Sequence, residues 1–174
     1  MYIQVKLGIP EMKKHTFKLD LRGTGHCASF NFRRTARAVT RIYDAALQDS
    51  GIRSTQFAIL VGIAKKQTVS IGTLADVLVI DGTTLARSLR LLKKEGLISI
   101  SARSTMRRRF LTVTPKGKRV LSRSVPLWRA AHERFVATVG SQYWIDFRNE
   151  LERLAHVAVD LEKPETAAVA IAGT

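Results

Sequence analysis

Four side chains between residues 83 and 94 have types and spacing suited to one task. On a helix of 3.6 residues per turn over 81–95, Thr83, Arg87, Arg90 and Lys94 fall on one face, opposite Leu85, Leu89 and Leu92. The leucine face must be buried, so the helix shows solvent a hydroxyl near its start and then three cations. An α-helix fits the major groove of B-DNA, and side chains near its N-terminus reach the base edges. Arg forks onto guanine O6 and N7, and Thr bonds a base or touches a thymine methyl. Arg90 and Lys94, farther along, suit phosphates better than bases. An ordinary amphipathic helix with a solvated basic face has the same spacing, so the flanking elements must decide.

Those elements are legible. Ser70 is placed to cap a helix with Leu74, Ala75 and Leu78 inward; Val79 to Gly82 form a short bridge; Asp81 caps the next helix and Gly96 stops it. Backbone amides near Ser70 and Ile71 suit a phosphate. Ile98 to Ser101 and Arg109 to Val113 read as two short strands around a loop that carries Arg103, Arg107 and Arg108 and no acidic residue. A hairpin tip with arginines suits the minor groove, where narrow A·T-rich stretches concentrate negative potential. A merely solvated run would mix its signs.

Around this segment the pattern is helical. Phe32, Ala36, Val39, Tyr43 and Ala46 form one face of a helix from Cys27 that Asp49-Ser50-Gly51 ends. Ser54 is the expected cap of a second helix with a stripe of Phe57, Leu60, Val61 and Ala64; Val69 suits a short strand. Thr114-Pro115 opens a helix that runs towards Gly140, with a kink expected at Pro126. Ser141 is the expected cap of a last helix, whose Trp144, Phe147, Leu151, Leu154, Ala158 and Leu161 make a seam able to pack on another helix. Before Cys27, Ile3, Val5 and Leu7, then Phe17, Leu19 and Leu21, alternate with polar residues, which fits either a two-stranded ribbon or a loose extension.

The 174 residues suffice for one domain with a proper core, and 45% are hydrophobic. A net charge of +15 points to a polyanion, nucleic acid before an anionic membrane. No apolar run reaches the ~20 residues that span a bilayer, no signal peptide is evident, and a single Cys forms no internal disulfide. The expected place is a reducing cytoplasm.

The order helix, turn, helix, Gly stop and basic hairpin is that of a winged helix-turn-helix. The segment resembles the MarR family of bacterial transcription regulators, most specifically at Leu74-Ala75, Asp81 to Arg87, Leu92 to Ile98 and Leu111 to Gly117. The likeness spans roughly residues 27–161. It implies a mainly α fold with a small β-hairpin wing: a DNA-binding lobe over 53–114 and a helical dimerisation region over 26–52 and 115–162. Residues 1–25 remain as an extension and 163–174 as a tail expected to be disordered. It further implies a homodimer on a pseudo-palindromic operator, DNA contacts at Thr83, Thr84, Arg87 and Arg107, repression in most members, and release by a small phenolic or lipophilic ligand or by cysteine oxidation. One departure concerns the wing: the family's Asp-x-Arg reads Thr105-Met106-Arg107 here, so the Arg has lost its carboxylate brace.

Two kinds of sensor are open. Cys27, beside His26 at a helix start with arginines near, is a candidate redox sensor, and also fits a small buried hydrophobe. Phe30, Tyr43, Phe57, Trp128 and Trp144 are candidate effector-pocket aromatics, each better suited to plain core. The four histidines and one Cys show no metal-ligand spacing, and no cofactor is expected. Nucleophile-elbow, HExxH, Cys-x-x-Cys and phosphate-loop motifs are missing, so an enzyme is disfavoured. The competing binding reading is a sequence-neutral architectural DNA-binding protein.

Overall fold

Short-range signals set most element boundaries in the computed structural model, which describes residues 20–102 and 109–162. Within these, the elements in order are α1 (Ala28–Leu47), α2 (Ser54–Lys66), β1 (Val69–Ser70), α3 (Ile71–Leu78), α4 (Gly82–Lys94), β2 (Ile98–Ala102), β3 (Arg109–Val113), α5 (Pro115–Val139) and α6 (Ser141–Glu162). Two units divide the chain, Met1–Arg37 and Ala38–Thr174.

In the first unit a single turn of 3-10 helix, Thr24–His26, precedes α1. The Asn31 side-chain amide donates to the Gly25 and Cys27 carbonyls, both at 3.0 Å, and so fastens the turn to the helix start. Most of the extension over 1–25, read either as a two-stranded ribbon or as a loose extension, lies outside the described residues; residues 20–25 make a turn and the start of the 3-10 helix, with no strand. The tail, 163–174, also lies outside them.

In the second unit the sheet order is β1-β3-β2, antiparallel throughout. β2 and β3 pair from Ile98 opposite Val113 to Ala102 opposite Arg109, and β1 adds only Val69 opposite Leu111 and Ser70 opposite Phe110. Leu111 sits at the centre of the sheet and is fully buried, against a core that includes Leu47, Leu60, Ile63, Leu74, Leu85 and Leu92. Each such leucine contributes roughly 1.5–3 kcal/mol by leaving water. At the start of α5, the Thr114 hydroxyl accepts from the Gly117 N–H (3.0 Å) and donates to the Gly96 carbonyl (2.7 Å), which joins the stop of α4 to the start of α5.

Four local expectations change. Ser54 does not cap α2: it is that helix's first residue, and its N–H and hydroxyl both donate to the Asp44 carboxylate on α1, at 2.7 and 2.6 Å. The buried stripe of α2 runs through Phe57, Ile59, Leu60 and Ile63, and Ala64 is exposed, because α2 is covered on several sides by α3, β3 and α5 and not on one. Phe32 and Ala36 on α1 are exposed, although Val39, Tyr43 and Ala46 are half-buried. Ser141 is likewise inside α6: the first helical bond, Trp144 N–H to the Gly140 carbonyl (2.9 Å), puts Gly140 at the cap. Pro126 lies within α5 without ending it.

Candidate nucleic-acid interface

α4 begins at Gly82 because Asp81 accepts a hydrogen bond from the Thr84 N–H at 2.9 Å, one of the amides that a helix start leaves without a partner. Side-chain and backbone hydrogen bonds from Thr84 hold the Asp81 carboxyl below the usual carboxylate range. It ends at Glu95 because Gly96 takes φ 71°, which lets the Gly96 and Leu97 amides turn back onto Lys93 and Leu92 (both 2.9 Å). Between these stops Leu85, Leu89 and Leu92 are buried, and Thr83, Thr84, Arg87, Arg90 and Lys94 are all exposed. The burial of one face therefore fixes the rotation of the helix and presents the hydroxyl and cationic face outward.

Ser70 occupies two elements at once. It pairs with Phe110 as the last residue of β1, and its hydroxyl accepts from the Thr73 N–H at 3.1 Å as the N-cap of α3. Ser70, Ile71, Gly72, Thr73, Asp76 and the stem residue Arg109 line an open cleft of about 360 Å³. Arg103, Arg107 and Arg108, expected at the hairpin tip, lie outside the described residues. The strands that carry the tip are described, and they end at Ala102 and Arg109.

Two features of this surface escape sequence reasoning. Leu91 is 47% exposed and lies on the face of α4 that carries Thr84 and Arg87, seven and four residues before it. Its departure from the spacing of the buried leucines is the only signal that marks it. Val79 adopts φ 48°, ψ 50° in the turn before α4, a left-handed conformation rare for a β-branched residue. It follows from the stop of α3, where the Ile80 N–H bonds the Ala75 carbonyl at 3.0 Å and Ile80 packs on the core.

With this geometry in place, comparison with solved structures is informative. The DNA complex of the Mycobacterium tuberculosis transcriptional regulator MosR superposes with a TM-score of 0.72 and 32% identity, over 79% of this chain and 99% of MosR. The chain belongs to the MarR family of transcription regulators. Escherichia coli MarR, as a Cys-to-Ser mutant with operator DNA, matches at TM-score 0.69 and 17% identity over 78% of this chain and 99% of its own. CouR of Rhodococcus jostii, bound to p-coumaroyl-CoA, matches at 0.65 and 19% over 77% and 95%. These last two likenesses concern the fold alone. No protein-family model and no curated protein matches the chain.

The regulator's two candidate sensing sites differ in character. Cys27 is exposed, and its carbonyl accepts the Asn31 N–H at 3.1 Å, the first bond of α1. Phe30, three residues on, is also exposed. The other aromatics gather about His132 of α5. Its Nδ1 lies 3.1 Å from the Tyr43 hydroxyl, and its ring stacks on Trp128 at 5.0 Å and meets the edge of Trp144 at 6.0 Å. Trp128 in turn stacks on Phe57 at 5.8 Å, and Phe57 is a buried core residue. Burial pushes the Tyr43 phenol above its ordinary value. Tyr43, Trp128 and Trp144 thus meet through a histidine that sequence spacing gave no reason to select, and Phe57 joins them through Trp128. Among the described residues no three His, Cys, Asp or Glu side chains are grouped to hold a metal, and no helix is long and apolar enough to cross a membrane.

Proposed function

We propose that this regulator binds double-stranded DNA sequence-specifically as a homodimer, each subunit placing α4 in the major groove of one half-site of a pseudo-palindromic operator, and that it represses transcription there. The observation that carries the reading is the capped, rotationally fixed α4, whose outward face is Thr83, Thr84, Arg87, Arg90 and Lys94. Thr83, Thr84 and Arg87 read base edges; Arg90, Lys94 and the Ser70 end of α3 hold phosphates; Arg103, Arg107 and Arg108 serve the minor groove. MosR and MarR were each seen with DNA, which supports the same use of the shared fold. An ordered base-facing helix favours specific readout over sequence-neutral architectural binding, for which charge alone would suffice.

The dimer is supported by α6, which has no buried residue and carries Tyr143, Phe147, Val157 and Leu161 exposed, the last at 81%. Such a stripe is covered by a second copy in our reading. Release comes from a small phenolic or lipophilic effector beside Tyr43 and Trp128, with Phe57 bordering it, or from oxidation of the exposed Cys27. The ligand-bound relative CouR supports the first and the accessible thiol the second. The deciding experiment compares affinity for the intergenic DNA upstream of the gene with affinity for random duplex at fixed salt. A preference of 10³-fold or more, roughly the lower bound for specific readout, is expected; equal affinities would leave only architectural binding. Loss of the preference on peroxide treatment, absent in Cys27→Ser, selects oxidation, and loss with an added phenol selects the ligand.

A further inference from the structure

α2 starts without a cap of its own. Arg53 occupies the N-cap position, and a guanidinium has no acceptor to offer the first amides of the helix. The acceptor comes instead from α1, where Asp44 Oδ1 takes both the Ser54 N–H and the Ser54 hydroxyl, with Arg53 Nη1 3.6 Å from Oδ2. Burial alone would raise this carboxyl, but the two Ser54 hydrogen bonds and the Arg53 charge outweigh it and hold it below the usual carboxylate range.

The same turn of α2 is tied on its other side to the recognition helix. Gln56 Oε1 accepts the Arg53 N–H at 2.9 Å, and Gln56 Nε2 donates to Glu95 Oε2 at 3.4 Å. Glu95 is the C-cap of α4, and its carbonyl accepts from Lys116 Nζ of α5 at 2.8 Å. A continuous run of polar contacts therefore leads from α1, through the first turn of α2, to the end of α4 that lies away from Thr83. At about 1.5 Å per residue, Glu95 and Thr83 are roughly 18 Å apart along a stiff rod. A displacement at one end reappears at the other.

We propose that Asp44 and Gln56 are positioning residues for DNA reading, by which the placement of α1 sets the tilt of α4 and so the reach of Thr83 and Arg87. This rests on the DNA-binding function proposed above. It makes α1 an input to readout although no residue of α1 need touch DNA.

Two measurements test it. The first needs no DNA: amide hydrogen exchange in the full-length wild type and in Asp44→Ala, with Ser54→Ala as a milder second variant. Exchange at Gly96 and Leu97, whose bonds close α4, should rise at least fivefold in both variants. Faster exchange confined to the first turn of α2 would mean a cap that only stabilises, and would overturn the linkage. The second uses the duplex that the wild type recovers from a random-sequence library. Asp44→Ala and Glu95→Ala should each weaken binding to it about fivefold to tenfold, binding to unselected duplex should change less than twofold, and the double variant should be no worse than the weaker single one. Multiplicative losses would show that the two residues act separately and would refute the proposal. If the wild type recovers no common sequence, the DNA-reading function itself fails and the positioning role with it, while the exchange data still report whether the linkage exists.

Discussion

Gly117 offers a demanding test of the packing that holds α4 in place. It lies in the first turn of α5 and is buried. A Cβ added there would stand 2.1 Å from the Leu97 carbonyl oxygen, 2.7 Å from Val113 Cγ1 and 3.0 Å from the Leu97 carbonyl carbon. The first of these is backbone, and it is already engaged by the Thr114 N–H at 3.0 Å, so it has nowhere to go without breaking that bond. Overpacking of this kind costs about 1–3 kcal/mol, and the strained hydrogen bond about 1 more. Replacing Gly by Ala inside a helix returns about 1 kcal/mol. The net expectation for Gly117→Ala is a loss of about 2 kcal/mol, or roughly 4–8 °C in Tm for a chain of this length. Gly82→Ala is the control: at the first position of α4 nothing lies within 4 Å of the added Cβ, so it should be neutral or stabilising by up to about 1 kcal/mol. Urea unfolding of both variants, at one protein concentration, measures the contrast. Equal stabilities, or a more stable Gly117→Ala, would refute the close approach of α5 to Leu97.

Arg87→Ala should cost about 1–3 kcal/mol per half-site and relax preference at one base position, measured by titration against single-base variants of the recovered site; unchanged affinity and preference would remove α4 from the groove. Log affinity should fall with log salt by about 0.9 per phosphate neutralised, and a flat dependence would assign the +15 charge elsewhere. Leu161→Glu together with Phe147→Glu should yield monomers in sedimentation at micromolar concentration, with DNA affinity lost in parallel; an intact dimer would place the interface off α6. Asp81 and Asp44 both have folded-state pKa values below the unfolded ones, so their stabilisation is complete above the unfolded value of about 3.9 and is lost as pH falls through the folded value. Asp44→Asn should therefore flatten the acid limb of the stability curve below about pH 4, and an unaltered limb would detach Asp44 from Ser54.

What could be read in the sequence was local in origin. Ser70, Asp81, Gly96 and the Thr114-Pro115 pair act within one turn of themselves, and each ends or begins a helix where its chemistry requires. The outward face of α4 was legible for the same reason, since Leu85, Leu89 and Leu92 fix its rotation by spacing alone. Partners brought from elsewhere in the chain were not legible. Ser54 has the chemistry of a cap and is diverted by Asp44, ten residues earlier on another helix. Ala64 fits a one-sided stripe, but α2 is surrounded and buries Ile59 and Ile63 as well. His132 carries no spacing signal and becomes the hub of three aromatics, Tyr43, Trp128 and Trp144, only when α1 and α6 meet α5. Val79 occupies a left-handed position that its own type disfavours, because the stop of α3 and the burial of Ile80 override local preference.

The double duty of Ser70 bears on the entropy of recognition. Because one residue closes a strand pair with Phe110 and caps α3, the stem of the hairpin and the start of α3 are parts of one body. If both meet a duplex, as proposed, part of the freedom that separate elements would surrender on binding is surrendered in folding instead. Under the proposed function, discrimination then depends in part on whether the grooves of a given sequence match the shape of that shared body.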